Sequence, residues 1–431
     1  MRAKRMTPPV RRTTRRWRTP PAITHGTEAF EGAGILDEIR GPLGLLLWQS
    51  LRDVSLWASF PPEEREEIFV AGAEENRLAA VRAAEVDVQV EPPLMTIVRM
   101  VGAPGSARPE TVAMACQHIA HWADGQGHSG TGIAFAQAAA MALPGDASYA
   151  YAVGRLARRR AEYARAETWF RRAVALARQT GDWTSYALAF SGLGNLYAQR
   201  GNVPAARRFH VRALRAARRH SLRQIQGAAL HDLFVIAAGA AGDEDPERYA
   251  RAAFEAYGQD HPRLPALAHD LAYHWILRGH FEPALSTFQA LLPHMTRLDE
   301  RLVVLANVAR AAAGAGERKL FEETWDEVWD GIARSDSLEN GAQVLLELGH
   351  GAATLGEPER AERAAERALQ VATGRGETRV QAAAEALLES VRRARGARTR
   401  AVEVPHPASG GDAEAFAADL VRTLNAALVS R

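Results

Sequence analysis

Residues 183–220, WTSYALAFSGLGNLYAQRGNVPAARRFHVRALRAARRH, constrain the fold more than any other stretch of the chain. Two helical patterns lie either side of a Gly201-Asn202 break: Phe190, Leu193, Gly194 and Tyr197 share a face of the first, and Ala206, Phe209, Ala213 and Leu214 mark a face of the second. Neither helix can bury its stripe alone. Small Gly194 and Ala206 let the two backbones approach, and Tyr197 and Phe209 fill the remaining space, which predicts an antiparallel hairpin with one side still apolar. That side needs a neighbour of the same kind.

The lettering recurs. The small or apolar residue that opens each second helix falls at Ala166, Ala206, Ala250, Ala284, Phe321 and Ala361, at steps of 40, 44, 34, 37 and 40 residues. Partners accompany each marker: Gly154 with Ala166 and Phe170, Leu271 and Ala272 with Ala284 and Phe288, Ala309 with Trp325, and Gly349 with Ala361 and Ala365. The unit near residues 230–257 is the least regular. Phe190-x2-Leu193-Gly194-x2-Tyr197, then Ala206 with His210 in the following aromatic position, resembles the tetratricopeptide repeat, whose period is about 34 residues. The resemblance implies an all-α fold, a right-handed α-α superhelical solenoid of helix hairpins, over residues 146–395 in about six repeats closed by a capping helix at 377–393.

Flanking segments read differently. Residues 1–25 are Arg-, Thr- and Pro-rich with little to bury, a disordered basic arm without the apolar core of a secretory signal. Residues 26–145 form a helical N-terminal region, either degenerate repeats or a cap, with 109–143 resembling one worn repeat. Residues 41–60 are the most apolar run, but Arg52 and Asp53 interrupt it short of a membrane span, so it reads as a buried helix. Residues 396–411, with Pro405 and Pro407, read as a linker to a last helix at 412–431 carrying Phe416, Leu420, Leu424 and Leu428. That helix folds back on the array or docks on a second copy.

The formal charge of +2 over 431 residues hides an asymmetry. Residues 1–18 carry +8, residues 155–223 hold 16 arginines against three acids, and residues 243–339 hold 18 acids against 10 bases. Lysine occurs only at Lys4 and Lys319, which reads as codon bias in a GC-rich bacterial genome. Cys116 is the sole cysteine, so no internal disulfide forms and a reducing cytoplasm is the simplest home.

Chemistry is sparse. There is no phosphate-cradling glycine loop, nucleophile elbow or zinc helix, so neither cofactor, metal nor catalysis is expected. Residues 127–131, GHSGT, lack the elbow's last glycine. Cys116, His118 and His121 sit at i, i+2 and i+5 on a helix, which splays Cys116 and His118 apart with no fourth ligand evident, and the adjacent pairs His231-Asp232 and His269-Asp270 point apart too.

In the family resembled, the first helices line a concave groove for a peptide. Carried over by pattern, the groove positions are Tyr151 and Arg155, Ser191 and Asn195, His269 and Tyr273, Ala306 and Arg310, and Leu346 and His350. The expectation is a non-catalytic scaffold binding a protein or peptide there. The alternative is a regulatory or sensor protein acting with nucleic acid through the basic arm and the arginines of the second helices, among them Arg171, Arg172, Arg207, Arg208, Arg212 and Arg215, although no aromatic interleaving supports base stacking.

Overall fold

The structure, a computed structural model, describes residues 33–240, 245–259, 261–334, 340–396 and 411–429. The expected disordered arm at 1–25 and most of the expected linker lie outside them. Among the described residues there are twenty α-helices, two 3-10 turns and no strand. The chain divides into two compact units, Met1–Ile225 and Gln226–Arg431.

The first unit opens with α1 (Ala33–Glu38), α2 (Gly41–Ser59), α3 (Ala73–Ala83) and α4 (Glu91–Gly102). Helix α2 is the apolar run, and it buries Leu46, Leu47, Leu51, Val54 and Trp57. The Asp53 that interrupts this run is buried and receives two hydrogen bonds from Arg77 of α3, at 2.6 and 3.1 Å, so the charge is paired rather than lipid-facing. No helix among the described residues is long and apolar enough to cross a membrane.

Three hairpins follow: α5 (Pro109–Gly125) with α6 (Ser129–Ala142), α7 (Ala147–Arg159) with α8 (Tyr163–Thr180), and α9 (Trp183–Gln199) with α10 (Val203–Arg219). Local caps start three of these helices. Asp146, Asp182 and Asn202 accept hydrogen bonds from the backbone N–H of Ser148, Ser185 and Ala205, capping α7, α9 and α10. The start of α6 is capped from a distance by Glu38 of α1, which accepts the N–H groups of Gly130 and Thr131 at 2.7 Å each.

Glycine is what allows the hairpins to nest. A Cβ on Gly154 of α7 would lie 2.7 Å from the Phe170 ring, and one on Gly192 of α9 would lie 2.4 Å from it. Phe170 of α8 is thus wedged between its own hairpin and the next. In the following hairpin His210, 1 % exposed, occupies the aromatic position against Gly194.

The unit boundary runs through α11 (Arg223–Ala238). The second unit continues with α12 (Pro246–Tyr257), α13 (Leu264–Arg278), α14 (Phe281–Leu291), α15 (Leu298–Ala315), α16 (Arg318–Ala333), α17 (Gly341–Thr354) and α18 (Pro358–Arg375). Helix α19 (Thr378–Gly396) closes the stack by lying on α17 and α18. The last helix, α20 (Gly411–Val429), folds back on α13 and α14 of its own unit. Phe416 is fully buried there, edge-on to Phe254 and Trp275 and under the Arg251 guanidinium.

Candidate partner-binding face

The first helices of successive hairpins carry the polar positions singled out by the repeat pattern, and the two units use them differently. In the first unit, Tyr151 of α7 leans on Phe170 with ring centroids 5.9 Å apart. Arg155, one turn on, is half-buried and has no carboxylate within ion-pair distance among the described residues. On α9, the Ser191 hydroxyl is buried without a hydrogen-bond partner, and Asn195 is half-buried one turn further along. His121 of α5 reaches solvent, yet partial desolvation of its ring holds it below the usual imidazole range, helped by the charges of Arg155 and His118 against that of Asp124.

In the second unit the corresponding positions are already engaged. Glu347, on the apolar face of α17 and 3 % exposed, accepts a hydrogen bond from the Tyr273 hydroxyl of α13 at 3.0 Å. It also accepts from Arg310 of α15 and from Gln343 one turn back on its own helix. Burial, with Glu347 alongside, pushes the Tyr273 phenol up to about 12. His350 lies one turn beyond Glu347 and is held below the usual imidazole range by burial and by the Arg310 charge.

A second chain of contacts runs beside it. Asp270 of α13 meets His231 of α11 at 2.9 Å and its neighbour His269 at 3.3 Å. His231 meets the Tyr257 hydroxyl at 3.4 Å, and His269 meets Asn307 of α15 at 3.4 Å. Burial acts to raise the Asp270 carboxyl, but hydrogen bonds from the two histidines hold it well below the ordinary carboxylate range. Here the structure corrects the sequence reading. His269 and Asp270 do meet, and His231 pairs with Asp270 of another helix rather than with Asp232. Of the remaining groove positions, Ala306 and Leu346 are buried.

The arginines of the second helices are also unequal. Arg171 is bound by Glu167 at 2.7 Å, and Arg172 donates to the Pro144 carbonyl at 3.3 Å. Arg207, Arg208, Arg212 and Arg215 are exposed on α10. Aromatic side chains from α9 do interleave with part of this set. Trp183, Tyr186 and Phe190 form one wall of a cleft of about 350 Å³ whose other wall is Arg212, Arg215, Ala216, Arg219 and His220. Reading along one helix could not find this, because the aromatics and the arginines belong to different helices. The same holds for the Glu347 cluster, whose only sequence signal is a lone acid in the apolar run of α17.

Elsewhere the candidate chemistry comes apart. Cys116 faces the core, where burial pushes its thiol up to about 12, while His118 and His121 of the same helix are exposed. No group of three or more metal-ligating side chains converges among the described residues.

The tetratricopeptide-repeat family matches residues 146–219, which span α7 to α10. No curated protein matches the sequence. Similar solved structures include BtubC from P. vanneervenii, at 16% identity over 66% of this chain and 97% of that one, with a TM-score of 0.33. The Cut9–Hcn1 hetero-tetramer of the APC/C is similar at 14% identity over 80% of this chain and 62% of that one, TM-score 0.41. The TPR2AB domain of yeast Sti1, in its pHSP90 complex, is similar at 13% identity over 65% and 99%, TM-score 0.26.

Proposed function

We propose that this chain, which belongs to the tetratricopeptide-repeat family through residues 146–219, is a non-catalytic scaffold that holds a protein or peptide against the first helices α7 and α9. The observation that carries the reading is that Arg155 of α7 and Asn195 of α9 are half-buried and have no hydrogen-bond or ion-pair partner among the described residues. A peptide laid across α7 and α9 gives Asn195 both a donor and an acceptor to meet and lets the Arg155 fork take a carboxylate. Tyr151 supplies an apolar flank. His269, Tyr273 and Arg310 take a lesser part, because they are already held by Asp270, Asn307 and Glu347.

A bacterial cytoplasm is the setting that fits a single buried cysteine and an almost lysine-free chain. The scaffold reading is tested by capturing partners from nuclease-treated extract on the wild-type chain and on an Arg155→Ala/Asn195→Ala variant. A protein partner retained by the wild type and lost by the variant is the expected result. A partner that disappears on nuclease treatment contradicts the reading and favours a regulatory role with nucleic acid, for which phosphate contacts predict a steep loss of binding with salt.

A further inference from the structure

We propose that the cleft between α9 and α10 is a second binding site, which takes an acidic peptide segment bearing a bulky apolar side chain. The inference is separate from the reading for the first-helix face, since the cleft uses none of Tyr151, Arg155, Ser191 and Asn195.

Residues 183–220 hold seven arginines and no acid, so this hairpin cannot neutralise itself. Arg212, Arg215 and Arg219 are exposed and have no carboxylate within ion-pair distance among the described residues. They follow i, i+3, i+7 spacing and so form one stripe along α10. Trp183, Tyr186 and Phe190 repeat that spacing on α9, and the two stripes line the same cleft. Seven residues of helix rise about 10 Å, the reach of about three residues of extended chain. A segment of the form acid–apolar–acid therefore matches both walls, with its central side chain among the rings and its carboxylates on the guanidiniums.

The arrangement of the rings decides between a peptide and a stacked nucleic-acid base. Trp183 is already stacked on His220 at 4.3 Å with planes 8° apart. Tyr186 stands edge-on to Trp183 at 5.6 Å and to Phe190 at 4.8 Å. Arg212 lies 5.7 Å from the centre of the Phe190 ring. A base needs an open, parallel platform. This herringbone spends ring faces on its own members and leaves an apolar slot, which suits a leucine or phenylalanine side chain.

The test is fluorescence anisotropy with a labelled nonapeptide, GEEDFEDEG, and the full-length chain. The controls are GEEDSEDEG, which lacks the apolar side chain, and a nine-nucleotide oligothymidine. Saturable binding of the first peptide is expected, about tenfold weaker for the serine peptide and for the oligonucleotide. Arg215→Glu/Arg219→Glu, on an exposed stripe, is expected to weaken it by more than tenfold. Trp183→Leu is expected to weaken it with helicity by circular dichroism unchanged. The proposal is overturned by equal binding of the serine peptide, by tighter binding of the oligonucleotide, by an arginine variant that binds like wild type, or by no saturable binding of any probe.

Discussion

The same positions of the same repeat do opposite things in the two units. On α7 and α9 of the first unit, half-buried Arg155 and Asn195 and buried Ser191 have no polar side-chain partner among the described residues. On α13, α15 and α17 of the second, Tyr273, Arg310 and Gln343 are spent on the buried Glu347 carboxylate, and His231 of α11 and His269 of α13 are spent on the half-buried Asp270. A polar group on a first helix is thus evidence of binding only where the fold has not already satisfied it. For Tyr273 and Arg310 the cause is a single residue. An acid in the apolar run of α17 must find donors, and it takes them from the two preceding first helices.

The largest expected effect separates the units by stability. Glu347→Ala strands Arg310 and the Tyr273 hydroxyl, and should cost about 3–5 kcal/mol in urea unfolding. Asn195→Ala on the first helix α9 of the first unit should stay within about 0.5 kcal/mol. Equal costs would erase the distinction.

Next comes Gly192→Ala, which tests where the first unit keeps its stability. The added methyl group meets the Phe170 ring, so a loss of about 1–3 kcal/mol is expected from overpacking. Phe170→Leu in the same background should recover part of it.

Acid should weaken the second unit. Burial holds His274 and His350 below the usual imidazole range. The unfolded chain therefore takes up protons first, and stability is lost as pH falls through about 6.5. The urea midpoint is expected to drop between pH 7.5 and 5.5, and His350→Leu is expected to flatten that dependence. A midpoint that rises toward acid contradicts the assignment of buried, neutral imidazoles.

The smallest effect is expected at Ser191. Ser191→Ala removes a buried hydroxyl with no hydrogen-bond partner among the described residues, so the chain should be unchanged or slightly more stable in urea unfolding, by up to about 1 kcal/mol. A larger loss of stability would mean that the hydroxyl is bonded in the folded chain.

How much of this was legible in the sequence follows from range. The hairpins were legible because their signals are local: small residues at Gly154, Gly194 and Ala206, large ones at Phe170 and Tyr197, and a break at Gly201-Asn202. The fold-back of α20 was legible as one of two alternatives from its Phe416, Leu420 and Leu424 stripe. The Glu347 cluster was not, since Tyr273 and Glu347 stand 74 residues apart and nothing local to either announces the other. His231 and Asp270 stand 39 apart, and adjacency drew attention to Asp232 instead. The aromatic and arginine stripes of the α9–α10 cleft lie on separate helices that only the closed hairpin brings face to face.

The claim that the second unit spends its own groove residues is tested most directly by a double-mutant cycle on Arg310→Met and Glu347→Gln, followed by urea unfolding. A coupling of about 1–3 kcal/mol between the two is the predicted result. Single-variant costs that simply add, to within about 0.5 kcal/mol, would mean that Arg310 is free for a partner and that the two units do not differ in the way described.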